Sequence, residues 1–173
     1  MNCEEDFIRL IIIISLLTLI VLSSCVNPFA PALDETISGE EGLITDQKTV
    51  SGVFQNFQYA YSFKDTTIYG GLLAKDFIFT YRDYDLGYDI SWGREEEMRV
   101  SHGLFQNAQR LDLIWNEIVS MASDSTNIIR SFDLMITFNP TDIIDVDGRI
   151  NLTLRKNEQN KWQITNWLDE SNF

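Results

Sequence analysis

The spacing of apolar residues splits the chain beyond residue 45 into a helical part and a sheet part. Val50, Val53, Phe54, Phe57, Ala60 and Tyr61 recur three and four residues apart, which predicts an amphipathic helix over 46–64. Thr45 or Asp46 stands where an N-cap would accept from its first free N–H groups. Ile68, Leu72 and Leu73 predict a short second helix, weakened by Gly70 and Gly71. In "DFIFTYRD", Phe77, Phe79 and Tyr81 alternate with Ile78, Thr80 and Arg82, a strand pattern. "DYDLGYDISWG" reads as a loop, and "REEEMRVSHGLFQNAQ" as a third helix. Glu95, Glu96 and Glu97 in its first turn suit the positive end of the helix dipole.

Beyond residue 110 the period becomes two. Leu111, Leu113 and Trp115 alternate along their segment, as do Phe132, Leu134, Ile136 and Phe138 over Asp133, Met135 and Thr137, then Ile150, Leu152 and Leu154 over Asn151, Thr153 and Arg155. "KWQITNWLDES" carries Trp162 and Ile164 and then slips by one to Trp167, the signature of a bulge. "RKNEQNKW" predicts a hairpin turn, and "NPTDIIDVDG" a longer connection closed by Asp147-Gly148. One face of each strand is apolar and the other mostly polar, which predicts an antiparallel sheet with one side covered.

Helices first and strands last imply an α+β domain, three helices packed on one face of a mostly antiparallel sheet. The aromatic first helix ending "YAYSFKD", the step "LLAKDFIFTYRD" and the terminal "KWQITNWLDES" resemble the nuclear transport factor 2-like superfamily, which includes ketosteroid isomerase and the SnoaL-like polyketide cyclases. The resemblance covers about residues 46–170. It implies a strongly curved sheet wrapped round the helices as a cone with an internal pocket. It also implies a homodimer through the outer sheet face.

Ahead of the domain lies a different signal. The run Leu10–Leu22 is apolar apart from Ser15 and Thr18. As a helix it would be about 20 Å long, short of a hydrocarbon core of about 30 Å. That length suits the apolar part of a signal peptide, although the segment before it, "MNCEEDFIR", is acidic where such leaders are usually basic. Leu22-Ser23-Ser24-Cys25 resembles a lipobox, in which small residues precede a cysteine whose thiol carries lipid. An uncleaved anchor and a buried core segment are the other readings of the run. The expected organisation is a signal peptide over 1–24, a lipidated Cys25 and tether over 25–45, and the domain over 46–173. Cleavage before Cys25 removes Cys3 and leaves no second thiol for a disulfide. The tether, with two prolines and four acids after Cys25, would span about 25 Å as a coil. These features place the domain in the bacterial cell envelope, outside the cytoplasm, held to the membrane by its lipid.

Charge excludes some partners. The formal net charge is −13 and the pI about 4.3. That argues against nucleic acid and against a polybasic grip on anionic lipid.

Motifs for catalysis are sparse. His102 is the one histidine, too few for a histidine metal site. Asp145, Asp147 and Gly148 supply only part of a calcium loop, because Ile143 stands where its first acid belongs. There is no G-x-S-x-G, phosphate loop or H-E-x-x-H. No cofactor or metal is expected. An enzyme of the resembled superfamily would need carboxylate, tyrosine or histidine groups in the pocket; Tyr59, Tyr61, Asp76, Tyr81, His102 and Asp133 are of those types. Tyr59, Tyr81, Trp92, His102 and Trp115 are the candidate pocket lining, suited to a small ligand of mixed apolar and polar character. The expectation is a non-catalytic domain that binds a ligand or partner, with a tethered isomerase, dehydratase or cyclase as the alternative.

Overall fold

The computed structural model describes residues 43–172. The expected signal peptide, Cys25 and all but the last residues of the expected tether lie outside them. The elements run α1 (Val50–Phe63), α2 (Thr66–Leu72), β1 (Leu73–Asp83), β2 (Tyr88–Gly93), α3 (Arg94–Asn107), β3 (Arg110–Met121), β4 (Asn127–Asn139), β5 (Asp142–Lys156) and β6 (Trp162–Asn172). The strands form one sheet in the order β2-β1-β6-β5-β4-β3. Among the described strands only β1 and β6 pair in parallel. The α+β class and the helix-on-sheet layering are those the sequence predicts.

The predicted apolar stripe of α1 is buried: Val53, Phe54, Phe57, Ala60 and Tyr61 all enter the core. The helix starts later than expected. Thr49 is its N-cap, accepting from Gly52 N at 3.0 Å, while Asp46 pairs with Lys48. Thr45 serves another purpose. Its N–H donates to Oδ1 of buried Asn56 at 2.7 Å, and Asn56 Nδ2 returns a bond to Thr45 O at 3.0 Å. The segment before α1 is thereby strapped to it. Gly52 permits the close approach, since a Cβ there would lie 2.5 Å from Thr45 Oγ1. Asp65 caps α2 through Thr67 N and Ile68 N. α1 packs on β3 and α2, and α3 packs on β1 and β2.

Two segments read as loops are strands. Tyr88–Gly93 pairs with β1 from Asp83↔Tyr88 to Ile78↔Gly93. As an edge strand with no buried residue it lacks a continuous apolar face, so its alternation is weak. The connection expected after Asn139 shrinks to Pro140 and Thr141, and β5 pairs with β4 from Asp142 onward. Asp145 and Asp147 flank buried Val146 as the outward residues of a strand, which is why they looked like loop acids. Gly148 closes no turn. It faces Ser171 across β5 and β6, and a Cβ there would meet Ser171 Cα at 2.4 Å. The predicted bulge in β6 is present: pairing passes from Thr153↔Asn166 to Leu154↔Ile164, leaving Thr165 as the extra residue.

Candidate functional site

A cavity of about 310 Å³ lies between the helices and the inner sheet face. Its walls are apolar and aromatic, with Phe57 from α1, Phe79 from β1, Trp92 from β2, Trp115 from β3 and Trp167 from β6. The rings interlock. Phe79 and Trp92 stack with centroids 4.5 Å apart, and Trp167 stands edge-on to Phe79 at 5.1 Å and to Phe57 at 5.4 Å. Trp115 is fixed from behind, its indole N–H donating to Phe54 O at 2.9 Å.

The polar side chains in this lining are Glu97, Ser101, Asp169 and Ser171, with the phenols Tyr61 and Tyr81. Glu97 is 4% exposed and accepts three hydrogen bonds from three elements. Tyr69 of α2 donates to Oε1 at 2.6 Å, Ser101 of α3 to the same oxygen at 2.8 Å, and Trp92 of β2 to Oε2 at 2.8 Å. None of these donors is charged. Asp169 accepts from the Ser171 hydroxyl at 2.9 Å and the Ser171 N–H at 3.3 Å. Burial pushes its carboxyl above the usual aspartate value; the Ser171 bonds oppose this, and the nearby charges of Glu97 and Glu170 add to it. The phenols of Tyr61 and Tyr69 are pushed up, first by burial and further by the negative charge of Glu97. Both therefore remain neutral donors at physiological pH.

Of the residues singled out from sequence, Tyr81, Trp92 and Trp115 line the cavity. Tyr59 and His102 do not, and that expectation is corrected. Tyr59 is half-buried off the core stripe of α1 and stacks on Phe63 at 4.4 Å. His102 is exposed, because the buried face of α3 runs Glu97, Ser101, Phe105 and His102 lies off it. Asp76 pairs at the surface with Arg155, and Asp133 takes a bond from Asn116 on the outer sheet face. Among the described residues no group of three His, Cys, Asp or Glu side chains is placed to hold a metal ion, and no helix is long and apolar enough to cross a membrane.

The two carboxyl groups of the site were missed, although the sequence holds a signal for each. Glu97 shares the spacing of Val100, Ser101, Leu104 and Phe105, the inward face of α3. Asp169 continues the post-bulge alternation Trp167, Asp169, Ser171.

No protein-family model and no curated protein matches this sequence at a significant level. Solved structures do match. A nuclear transport factor 2-like protein of unknown function from Shewanella baltica aligns over 71% of this chain and 90% of its own, with a TM-score of 0.52 at 13% identity. A protein from a Jannaschia species, provisionally described as a SnoaL-like polyketide cyclase, aligns over 77% of this chain and 90% of its own, with a TM-score of 0.53 at 14% identity. A provisionally described scytalone dehydratase from Novosphingobium aromaticivorans aligns over 72% and 82%, with a TM-score of 0.59 at 11% identity. The fold is therefore the nuclear transport factor 2-like, or SnoaL-like, cone. Likeness at these identities establishes the fold alone.

Proposed function

We propose that this chain is a membrane-tethered bacterial lipoprotein whose cone domain binds a small, mostly apolar ligand in its internal cavity. The observation that carries the binding reading is the cavity of about 310 Å³, apolar over most of its wall and acidic around Glu97 and Asp169. Ligand sites have this composition, an apolar body with a few placed polar groups that set orientation. Leu22-Ser23-Ser24-Cys25 supports the tether. The domain is held outside the cytoplasm in this reading, where it meets ligands of the envelope.

Two experiments test the two parts. Globomycin treatment and Cys25→Ala are expected to leave a slower-migrating, unprocessed or unlipidated form. Unchanged mobility and membrane partitioning would overturn the tether. Organic extraction of the full chain purified from membranes, read by mass spectrometry, is expected to release a small molecule in stoichiometric amount. Empty protein that also binds no aromatic probe would overturn the ligand reading.

A second reading has its own observation: a carboxyl group of raised proton affinity, Asp169, in an apolar cavity with the Tyr61 hydroxyl. Asp169 could take a proton from one carbon of a bound enone and return it to another, with Tyr61 donating to the oxygen that gains charge. Such an isomerisation balances without a cofactor. Exchange of solvent deuterium into conjugated enones, abolished by Asp169→Asn, would favour it over simple binding.

A further inference from the structure

We propose that the ligand of this cavity is an amine, a compact apolar or aromatic body whose single ammonium group sits at Glu97 and Asp169. The inference rests on the ligand-binding reading above and adds the charge of the occupant. Among the described residues that line the cavity, two are acidic and none is Lys, Arg or His. None of the ion pairs among the described residues includes either carboxyl group. The three donors on Glu97 satisfy its hydrogen bonding and leave its charge uncancelled. A buried charge without a counter-charge is costly, so the empty site favours whatever brings a positive charge to it. An alcohol would bring a donor and no charge, and an anion would be repelled.

The rest of the lining fits the same occupant. Tyr81, Trp92, Phe79 and Trp167 are among the lining residues, and aromatic rings both attract an ammonium group and pack against an apolar body. The charges around Asp169 agree in sign. Glu97 from α3 and Glu170 beside it in β6 are negative, and Tyr61 from α1 and Ser171 are neutral. Burial and these two negative charges raise the proton affinity of Asp169, and the Ser171 bonds oppose them. An arriving ammonium group lowers that affinity, so any proton held on Asp169 leaves to solvent.

The test is calorimetric titration of the full chain in detergent with three indoles that differ only in the head group. Tryptamine carries ammonium, tryptophol a hydroxyl and indole-3-acetate a carboxylate. Tryptamine is expected to bind at least tenfold more tightly than tryptophol, with indole-3-acetate weakest. Repeating the tryptamine titration near pH 5 in buffers of different ionisation enthalpy is expected to show proton release. Asp169→Asn should narrow the amine-to-alcohol ratio; if that variant does not fold, the head-group series on the unaltered chain decides alone. Tryptophol or indole-3-acetate binding as tightly as tryptamine would overturn the amine and leave the ligand reading standing. Binding of none of the three would overturn both.

Discussion

The hydroxyl of Tyr69 donates to Oε1 of Glu97 over 2.6 Å, joining α2 to α3 across a sequence separation of 28. Tyr69 is fully buried, and Glu97 is nearly so. The bond is at once part of the core and the back of the ligand site. Tyr69→Phe removes the hydroxyl and keeps the ring, so the loss should be that of one hydrogen bond to a charged group, about 1.5–3 kcal/mol. Urea denaturation of the two proteins measures it. A change below about 0.5 kcal/mol would mean that Ser101 and Trp92 suffice for Glu97.

Asp169 gives the fold a defined pH dependence. Its carboxyl in the folded protein holds its proton above the ordinary value of 3.8, chiefly because it is buried. Between that value and the raised one the folded state binds more protons than the unfolded state. The contribution of this group is complete below 3.8 and is lost as pH rises through the raised value. Asp169→Asn cannot titrate. Its stability curve should therefore lack that downward slope, and subtracting the two denaturation series isolates it.

Gly52 and Thr45 form a coupled pair. A methyl group at Gly52 would be placed 2.5 Å from Thr45 Oγ1, which itself donates to Gly52 O at 3.0 Å. Gly52→Ala should destabilise the domain by about 1–3 kcal/mol, the usual cost of overpacking. In the Thr45→Ala background the same substitution should cost less, because the crowding oxygen is gone. A double-mutant cycle reads the difference, and strict additivity would remove the contact from the explanation.

Gly148 is the harsher case. The atom a Cβ would meet at 2.4 Å is the backbone Cα of Ser171, which cannot swing aside. Gly148→Ala should force β5 and β6 apart at the point where Ser171 joins the cavity wall, at a cost of about 3 kcal/mol or more. Loss of amide protection around Ile150 and Asp169 in hydrogen exchange is the accompanying sign.

The elements visible in the sequence were those whose burial is one-sided. The stripe of α1 and the alternation of β1, β3 and β4 face the core on one side, so period alone reveals them. β2 and the start of β5 have little buried surface, and their aspartates and glycines read as turn residues. The acidic end of the cavity was hidden for a related reason. Glu97 stands in a run of three glutamates that the helix dipole already explains, and only its phase relative to Ser101 and Phe105 turns it inward. Tyr59 and His102 show the converse: the right residue type, one position off the inward face.

Binding of a small ligand in the cavity is tested most directly by a cavity-filling substitution. Leu134 lines the space from β4. Leu134→Trp should occupy part of the volume while the domain stays folded, as circular dichroism would report. Titration of indole into the unaltered chain should give saturable one-to-one binding, and the variant should bind at least tenfold more weakly. Equal binding to both proteins, or no binding to the unaltered chain, would contradict the account.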